Sequence, residues 1–276
     1  MKPASRNGYS LLEIALVMTI VSLIIGSVFA GQALIRSAQV NSIVTDISRY
    51  TQAITEFRDK YQSYPGDLPN AQFYWGNDPG GCPAVTSGAS PTPWNPLPHK
   101  ETCNGDGNGL IGQLGTLDSG GFVAAGPGAY EWYRAWQHLA DAGMIEGSYS
   151  GMSGPAGANN AVLGKNVPAS RLSGAGFSLF YASYPAGSAD WWPILDHVIV
   201  FGRVAGTGWT SGAALKPEEA FAIDSKTDDG IPATGKVQTL RQSQLPNCDS
   251  TDVQTTAKYN TAFKSEACNL IFDLGF

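Results

Sequence analysis

Residues 8–35 read GYSLLEIALVMTIVSLIIGSVFAGQALI, and the run meets its next charge only at Arg36. Residues 14–35 are 22 consecutive uncharged positions, most of them apolar. At about 1.5 Å of rise per residue, a helix of that length spans roughly 33 Å, which matches the apolar core of a bilayer. Lys2 and Arg6 precede the run and Glu13 is the first acidic residue. The positive-inside rule therefore places residues 1–8 in the cytoplasm and the chain beyond Arg36 outside it. Glu13 is the anomaly. A carboxylate near the bilayer core costs about 2.5–3.5 kcal/mol on insertion scales, and only part of that is offset by a place in the first helical turn, where the positive helix end favours an anion.

The pattern past the span extends the helix. Ile43, Ile47, Tyr50, Ile54, Phe57 and Tyr61 recur at spacings of 4, 3, 4, 3 and 4, one apolar stripe on a helix. No Pro or Gly interrupts residues 32–62, so the two segments predict one rod of about 50 residues that ends at the Pro65-Gly66 breaker. Two simpler readings compete. In one, the segment is an ordinary signal anchor with Glu13 at headgroup level. In the other it is a secretory signal peptide cut after Ala30, where Val28-Phe29-Ala30 before Gly31 satisfies the small-residue rule. The apolar run is long for such a peptide, and a discarded leader has no need to flow unbroken into a second helical stripe.

Gly8-Tyr9-Ser10-Leu11-Leu12-Glu13 resembles the class III signal of type IV pilins and type II secretion pseudopilins. The resemblance covers residues 1 to about 70. It implies a leader that ends at Gly8, cleavage there by prepilin peptidase, N-methylation of Tyr9 (usually Phe in the family), and Glu13 as the assembly residue that pairs with the Tyr9 amine of an adjacent subunit. It further implies a structural, non-enzymatic subunit that polymerises with other pilin or pseudopilin subunits. Its location would be single-pass in the inner membrane with the head in the periplasm, or in a cell-surface filament after assembly. The expected layout is residues 1–8 as leader, 9–35 as transmembrane and assembly helix, 36–62 as an amphipathic continuation, and 63–276 as a loop-rich extracytoplasmic head. The expected fold class is α+β and pilin-like, a long helix packed on a small antiparallel sheet. The rival class is a periplasmic module that binds a glycan or a partner, released after Ala30.

Composition supports a folded, loop-rich head. Charged residues make up 14 % and aromatics 11 %, with 33 Gly and 17 Pro. The net charge of −6 argues against nucleic acid as a partner. In the head, Ala71–Trp75 reads as one helical turn, residues 130–143 as a helix stopped by Gly143, and Lys216–Ser225 as a short helix with Pro217 in its first turn. Phe177–Tyr184, His197–Val204 and Lys236–Leu240 read as strands. Trp132, Trp136, Leu139 and Ala140 share a face that reads as core, with His138 as a satisfied structural histidine. Cys82, Cys103, Cys248 and Cys268 lack zinc spacing, and an even count on an exported chain favours two disulfides. Joining nearest neighbours is simplest, although three connectivities are open.

For chemistry, Asn104, Asp106 and Asn108 stand at alternate positions with Gly109 sixth, as in the first half of an EF-hand calcium loop. Gly115 falls at the twelfth position where the bidentate Glu belongs, so calcium there needs a distant carboxylate, Asp118 or Glu131; the plain alternative is a Gly/Asn turn. Asp224, Asp228 and Asp229 could also hold calcium, or simply close a helix end. Calcium is the one cofactor the patterns admit. No G-x-S-x-G, H-E-x-x-H or Walker lysine occurs. Asp196-His197 lacks a serine in a supporting context, and Trp191-Trp192-Pro193 reads as a sugar or partner patch, or as an exposed loop anchor.

Overall fold

A computed structural model of the chain describes residues 10–79, 82, 100–115, 129–157 and 159–276. The chain forms two compact units, Met1–Asn41 and Ser42–Phe276. Helix α1 (Leu11–Tyr61) is continuous over 51 residues. The remaining elements are α2 (Ala71–Trp75), β1 (Gln113–Gly115), α3 (Ala129–Asp141), β2 (Ala175–Tyr184), β3 (Ile194–Arg203), α4 (Pro217–Thr227), β4 (Val237–Gln238) and β5 (Leu270–Asp273).

Over residues 11–35 of the first unit α1 is exposed, from Leu11 and Leu12 through Leu23 and Phe29 to Leu34 and Ile35, with Gly31 half-exposed; burial begins at Val40. Its most apolar 18 residues have a mean hydropathy of 2.4 and none is buried in the protein. By length and composition this segment is long and apolar enough for a membrane anchor or an N-terminal signal.

In the second unit the rest of α1 is amphipathic as its spacing requires. Ile43, Ile47, Tyr50, Ile54 and Phe57 are buried, and Tyr61 at the end of the stripe is half-buried. Tyr50 sits edge-on between Trp136 of α3 and Phe177 of β2, at 5.0 and 5.2 Å between ring centroids. α3 is buried from Glu131 to Leu139, and it packs on both α1, through Trp136 and Tyr50, and β2, through Trp132 and Phe180. Its end carries both bonds of a Schellman motif: Gly143 N–H donates to the Ala140 carbonyl and Met144 N–H to that of Leu139, with Gly143 at φ 73°. α4 starts at Pro217 with Glu219 accepting the Lys216 N–H at 2.9 Å, and its acidic first turn and Lys226 in the last suit the helix dipole.

The sheet has five strands in the order β1-β2-β3-β5-β4. β2 and β3 pair antiparallel over a ten-residue ladder from Ala175↔Arg203 to Tyr184↔Ile194. β5 lies antiparallel between β3 and β4. The expected antiparallel sheet is thus present in four strands, and β1 corrects the picture by pairing parallel to β2. The reason is topological: parallel neighbours need a crossover, and α3 is the crossover between β1 and β2. Two disulfides join Cys82 to Cys103 and Cys248 to Cys268. The strands predicted at Phe177–Tyr184 and His197–Val204 are observed as β2 and β3, and Lys236–Leu240 shrinks to β4.

One expectation is overturned. Trp191 and Trp192 form neither an exposed patch nor an exposed anchor, being 3 % and 1 % exposed. Trp191 stacks on Tyr184 at 4.4 Å and 6° between ring planes. Trp192 lies against Ala233 and Ala257 under the Arg241 guanidinium. Burying two indoles yields far more than leaving them in water, and an apolar surface of that size stays exposed only where a partner covers it.

Candidate functional site

The first site is the start of α1. Ser10 Oγ accepts the Leu12 N–H at 3.1 Å, and Glu13 carboxylate accepts the Ser10 N–H at 3.0 Å. The Ile14 N–H donates to the Ser10 carbonyl. Ser10 is therefore an N-cap and Glu13 the third residue of a reciprocal capping pair, which satisfies helix-end N–H groups that have no partner within the helix. The signal was in the sequence as Ser-x-x-Glu ahead of an apolar run, and reading Glu13 only for its charge missed it. Gly8 and Tyr9 lie outside the described residues.

The second site is built on α3. Glu131, Arg134, Gln137 and His138 point a polar stripe at the segments that follow α1, at spacings that share one helix face. His138 Nδ1 accepts the Gly66 N–H at 2.9 Å, so its Nε2–H donates to Thr102 Oγ1 at 3.0 Å. Thr102 in turn donates to Gln137 Oε1 at 2.8 Å, and Gln137 Nε2 donates to the Glu101 carbonyl. Arg134 pairs with Asp78 at 2.6 Å with both side chains buried. Burial, helped by Arg134, holds His138 down at a pKa of about 3, so it is neutral. It is a structural histidine with both nitrogens engaged.

The same helix clamps the loop that holds the acidic motif. Glu131 accepts the Asp106 N–H on one oxygen at 3.1 Å and the Gly112 N–H on the other at 2.7 Å. Asp67 accepts the Asn108 and Gly109 N–H groups, one on each oxygen, at 3.0 Å. Asp67, Asp106 and Glu131 bring one carboxylate oxygen each to within 4.8 Å of one another. Close approach is enforced by glycine: a Cβ on Gly105 would stand 2.3 Å from the Asp67 backbone, and one on Gly66, at φ 87°, would stand 2.4 Å from the Glu131 carbonyl oxygen.

Of the predicted loop ligands, the structure brings Asp106 to this cluster. Asn104 Oδ1 instead accepts the Gln72 N–H at the start of α2, and Asn108 Oδ1 accepts the Leu110 N–H in an Asx turn. Glu131 takes part as the distant carboxylate, while Asp118 lies outside the described residues. Asp67 was missed because Pro65-Gly66-Asp67 reads as a helix breaker; only the fold carries it across to the loop. Burial pushes Glu131 up to about 8 and Asp67 up to about 6, with Asp106 adding to both shifts against the N–H donors. The donor set is all hard oxygen, the type that suits Ca²⁺ or Mg²⁺ and not a soft metal.

The second acidic group behaves as a helix end. Asp224 accepts the Tyr259 hydroxyl at 2.8 Å and the Gly230 N–H. Asp228 accepts the Lys236 and Val237 N–H groups, and Asp229 accepts those of Ile231 and the Thr234 hydroxyl. His197 is similarly committed. Its Nε2 accepts the Ile111 N–H at 3.1 Å and its ring stacks on Tyr64 at 4.1 Å, leaving no lone pair for a serine hydroxyl beside Asp196. Comparisons with models of known protein families, with curated proteins and with solved structures each find no match.

Proposed function

We propose that this chain is a structural subunit of a type IV pilus or a type II secretion pseudopilus. It is cleaved after Gly8 by prepilin peptidase, methylated at Tyr9, and polymerised through α1. The observation that carries the reading is the two-part character of that one helix. It is apolar and exposed all round from Leu11 to Ile35 with a single carboxylate in its first turn, then amphipathic and buried from Ile43. A leader or simple anchor needs only the first part. A subunit that carries a head on a bundle of helices uses both, the first part to enter the bundle and the second to pack on the head. The two disulfides fit a head on the oxidising side of the membrane, and the acidic net charge disfavours a nucleic-acid filament role.

The deciding experiment is the N-terminal mass of the mature protein. A chain beginning with N-methyl-Tyr9 is the expected result. A chain beginning at Gly31 overturns the reading in favour of a released periplasmic module, for which the burial of Trp191 and Trp192 removes the most obvious glycan platform.

A further inference from the structure

The two disulfides of the head differ in their surroundings. Cys248 and Cys268 are both fully buried, and among the described residues no side-chain donor hydrogen-bonds either sulfur. In the other bridge Cys103 is fully buried while Cys82 is exposed. Each sulfur of this bridge accepts an N–H. Gln72 Nε2 stands 3.2 Å from Cys82 Sγ, and Arg134 Nη2 stands 3.3 Å from Cys103 Sγ. The guanidinium is fixed there by Asp78 at 2.6 Å and Gln137 Oε1 at 2.7 Å.

That asymmetry sets a direction for thiol–disulfide exchange. A thiolate attacks the sulfur it can reach, and the reaction runs faster when the other sulfur leaves as a stabilised anion. A neighbouring arginine is one of the features that stabilise a thiolate. We propose that Cys82 is a thiol-exchange site: an external thiolate attacks Cys82 Sγ, and Cys103 departs as a thiolate held by Arg134. The Cys82–Cys103 bond breaks, a bond between Cys82 and the attacking sulfur forms, and the electron pair of the broken bond leaves on Cys103. With a monothiol the product is a mixed disulfide at Cys82. With a protein dithiol of the Cys-x-x-Cys class, the second thiol then displaces Cys82, and the dithiol is oxidised by two electrons as the bridge becomes two thiols. Opening leaves Cys103 in place, because Thr102 beside it stays bonded to Gly76 and Asp78 through the backbone and to Gln137 and His138 through its hydroxyl. The inference is independent of the pilin reading.

The test uses the oxidised full chain in detergent without denaturant. It is incubated with reduced glutathione, quenched with N-ethylmaleimide in acid, and mapped by peptide mass. The expected product carries glutathione on Cys82 and maleimide on Cys103 in the same molecule, with Cys248–Cys268 still bridged and opening at least about ten-fold more slowly. Glutathione on Cys103, or equal opening rates for the two bridges, overturns the proposal. Arg134→Gln is expected to slow attack at Cys82 by about ten-fold at neutral pH, and an unchanged rate in a folded variant removes the role of the guanidinium. Should that variant not fold, the wild-type map still decides which sulfur is attacked.

Discussion

At the scale of single residues, a substitution can separate the observed role of Glu13 from its proposed one. As the observed cap it needs only an acceptor for the Ser10 N–H, which glutamine also supplies; the proposed pairing with an amine of a neighbouring subunit requires its charge. Glu13→Ala removes the acceptor of the Ser10 N–H and is expected to weaken the helix start, and on the proposed reading also to abolish filaments. Glu13→Gln is expected to keep the helix start, read by circular dichroism of a peptide spanning residues 9–35 in micelles, yet still abolish filaments under the electron microscope. Filaments of normal yield from Glu13→Gln would reduce Glu13 to a cap. The buried Arg134–Asp78 pair makes a second residue-scale case. Arg134→Met strands a buried carboxylate and should lower stability by about 3–5 kcal/mol, whereas the double variant with Asp78→Leu should recover most of it in chemical denaturation. Gln72, whose amide was not singled out by any pattern, shows what sequence cannot offer here: its contact with Cys82 exists only because α2 is folded beside the bridge.

At the scale of elements, α3 does the work of organising the loops, and its polar stripe was half legible. The tryptophans at helical spacing read as core, and Trp132, Trp136 and Leu139 are buried. Arg134 and Gln137 carried no sequence signal, yet both are fully buried: Arg134 is held by the Asp78 carboxylate, and Gln137 serves the Glu101 carbonyl of a loop that has no strand or helix of its own there. The carboxylates of this layer give the head a pH dependence. Folded-state values of Asp67 and Glu131 are raised above their ordinary ones by burial. Their contribution is therefore fully present below the unfolded carboxylate range and is lost as pH climbs through about 6 for Asp67 and about 8 for Glu131. In chelator the melting temperature should fall by several degrees between pH 5 and pH 8, and Glu131→Gln should flatten that fall. Millimolar calcium should reduce the fall if the three carboxylates hold a cation, since an ion that binds only the folded state adds stability by mass action; half-buried Asp141 and buried Asp224 and Asp249, each raised to about 7, keep part of it. An identical pH profile with and without calcium leaves the cluster as a loop clamp alone.

At the scale of the molecule, the division at Asn41/Ser42 is a statement about where the head begins. A fragment of residues 42–276 keeps the stripe from Ile43 to Phe57 and should be a soluble, cooperatively melting domain. A fragment of residues 63–276 loses those buried side chains, exposes the faces of α3 and β2 that Tyr50 covers, and should aggregate. Gel filtration and thermal unfolding of the two fragments check this, and a soluble folded 63–276 would show that α1 is dispensable to the head core. The sequence by itself determined the long helix, its change from all-apolar to amphipathic, the helices around Trp132 and Pro217, and the central strand pair. Each of these is written in local periodicity and in breakers such as Pro65 and Gly143, which act over a few residues. Only the tertiary structure decided the parallel edge strand at Gln113–Gly115, the four-residue strand at Leu270–Asp273, the burial of Trp191 and Trp192, and the meeting of Asp67, Asp106 and Glu131. Those features are too short for periodicity to register, or they join residues dozens of positions apart. They form because a crossover through α3 brings distant loops to one helix face, where buried backbone N–H groups require acceptors.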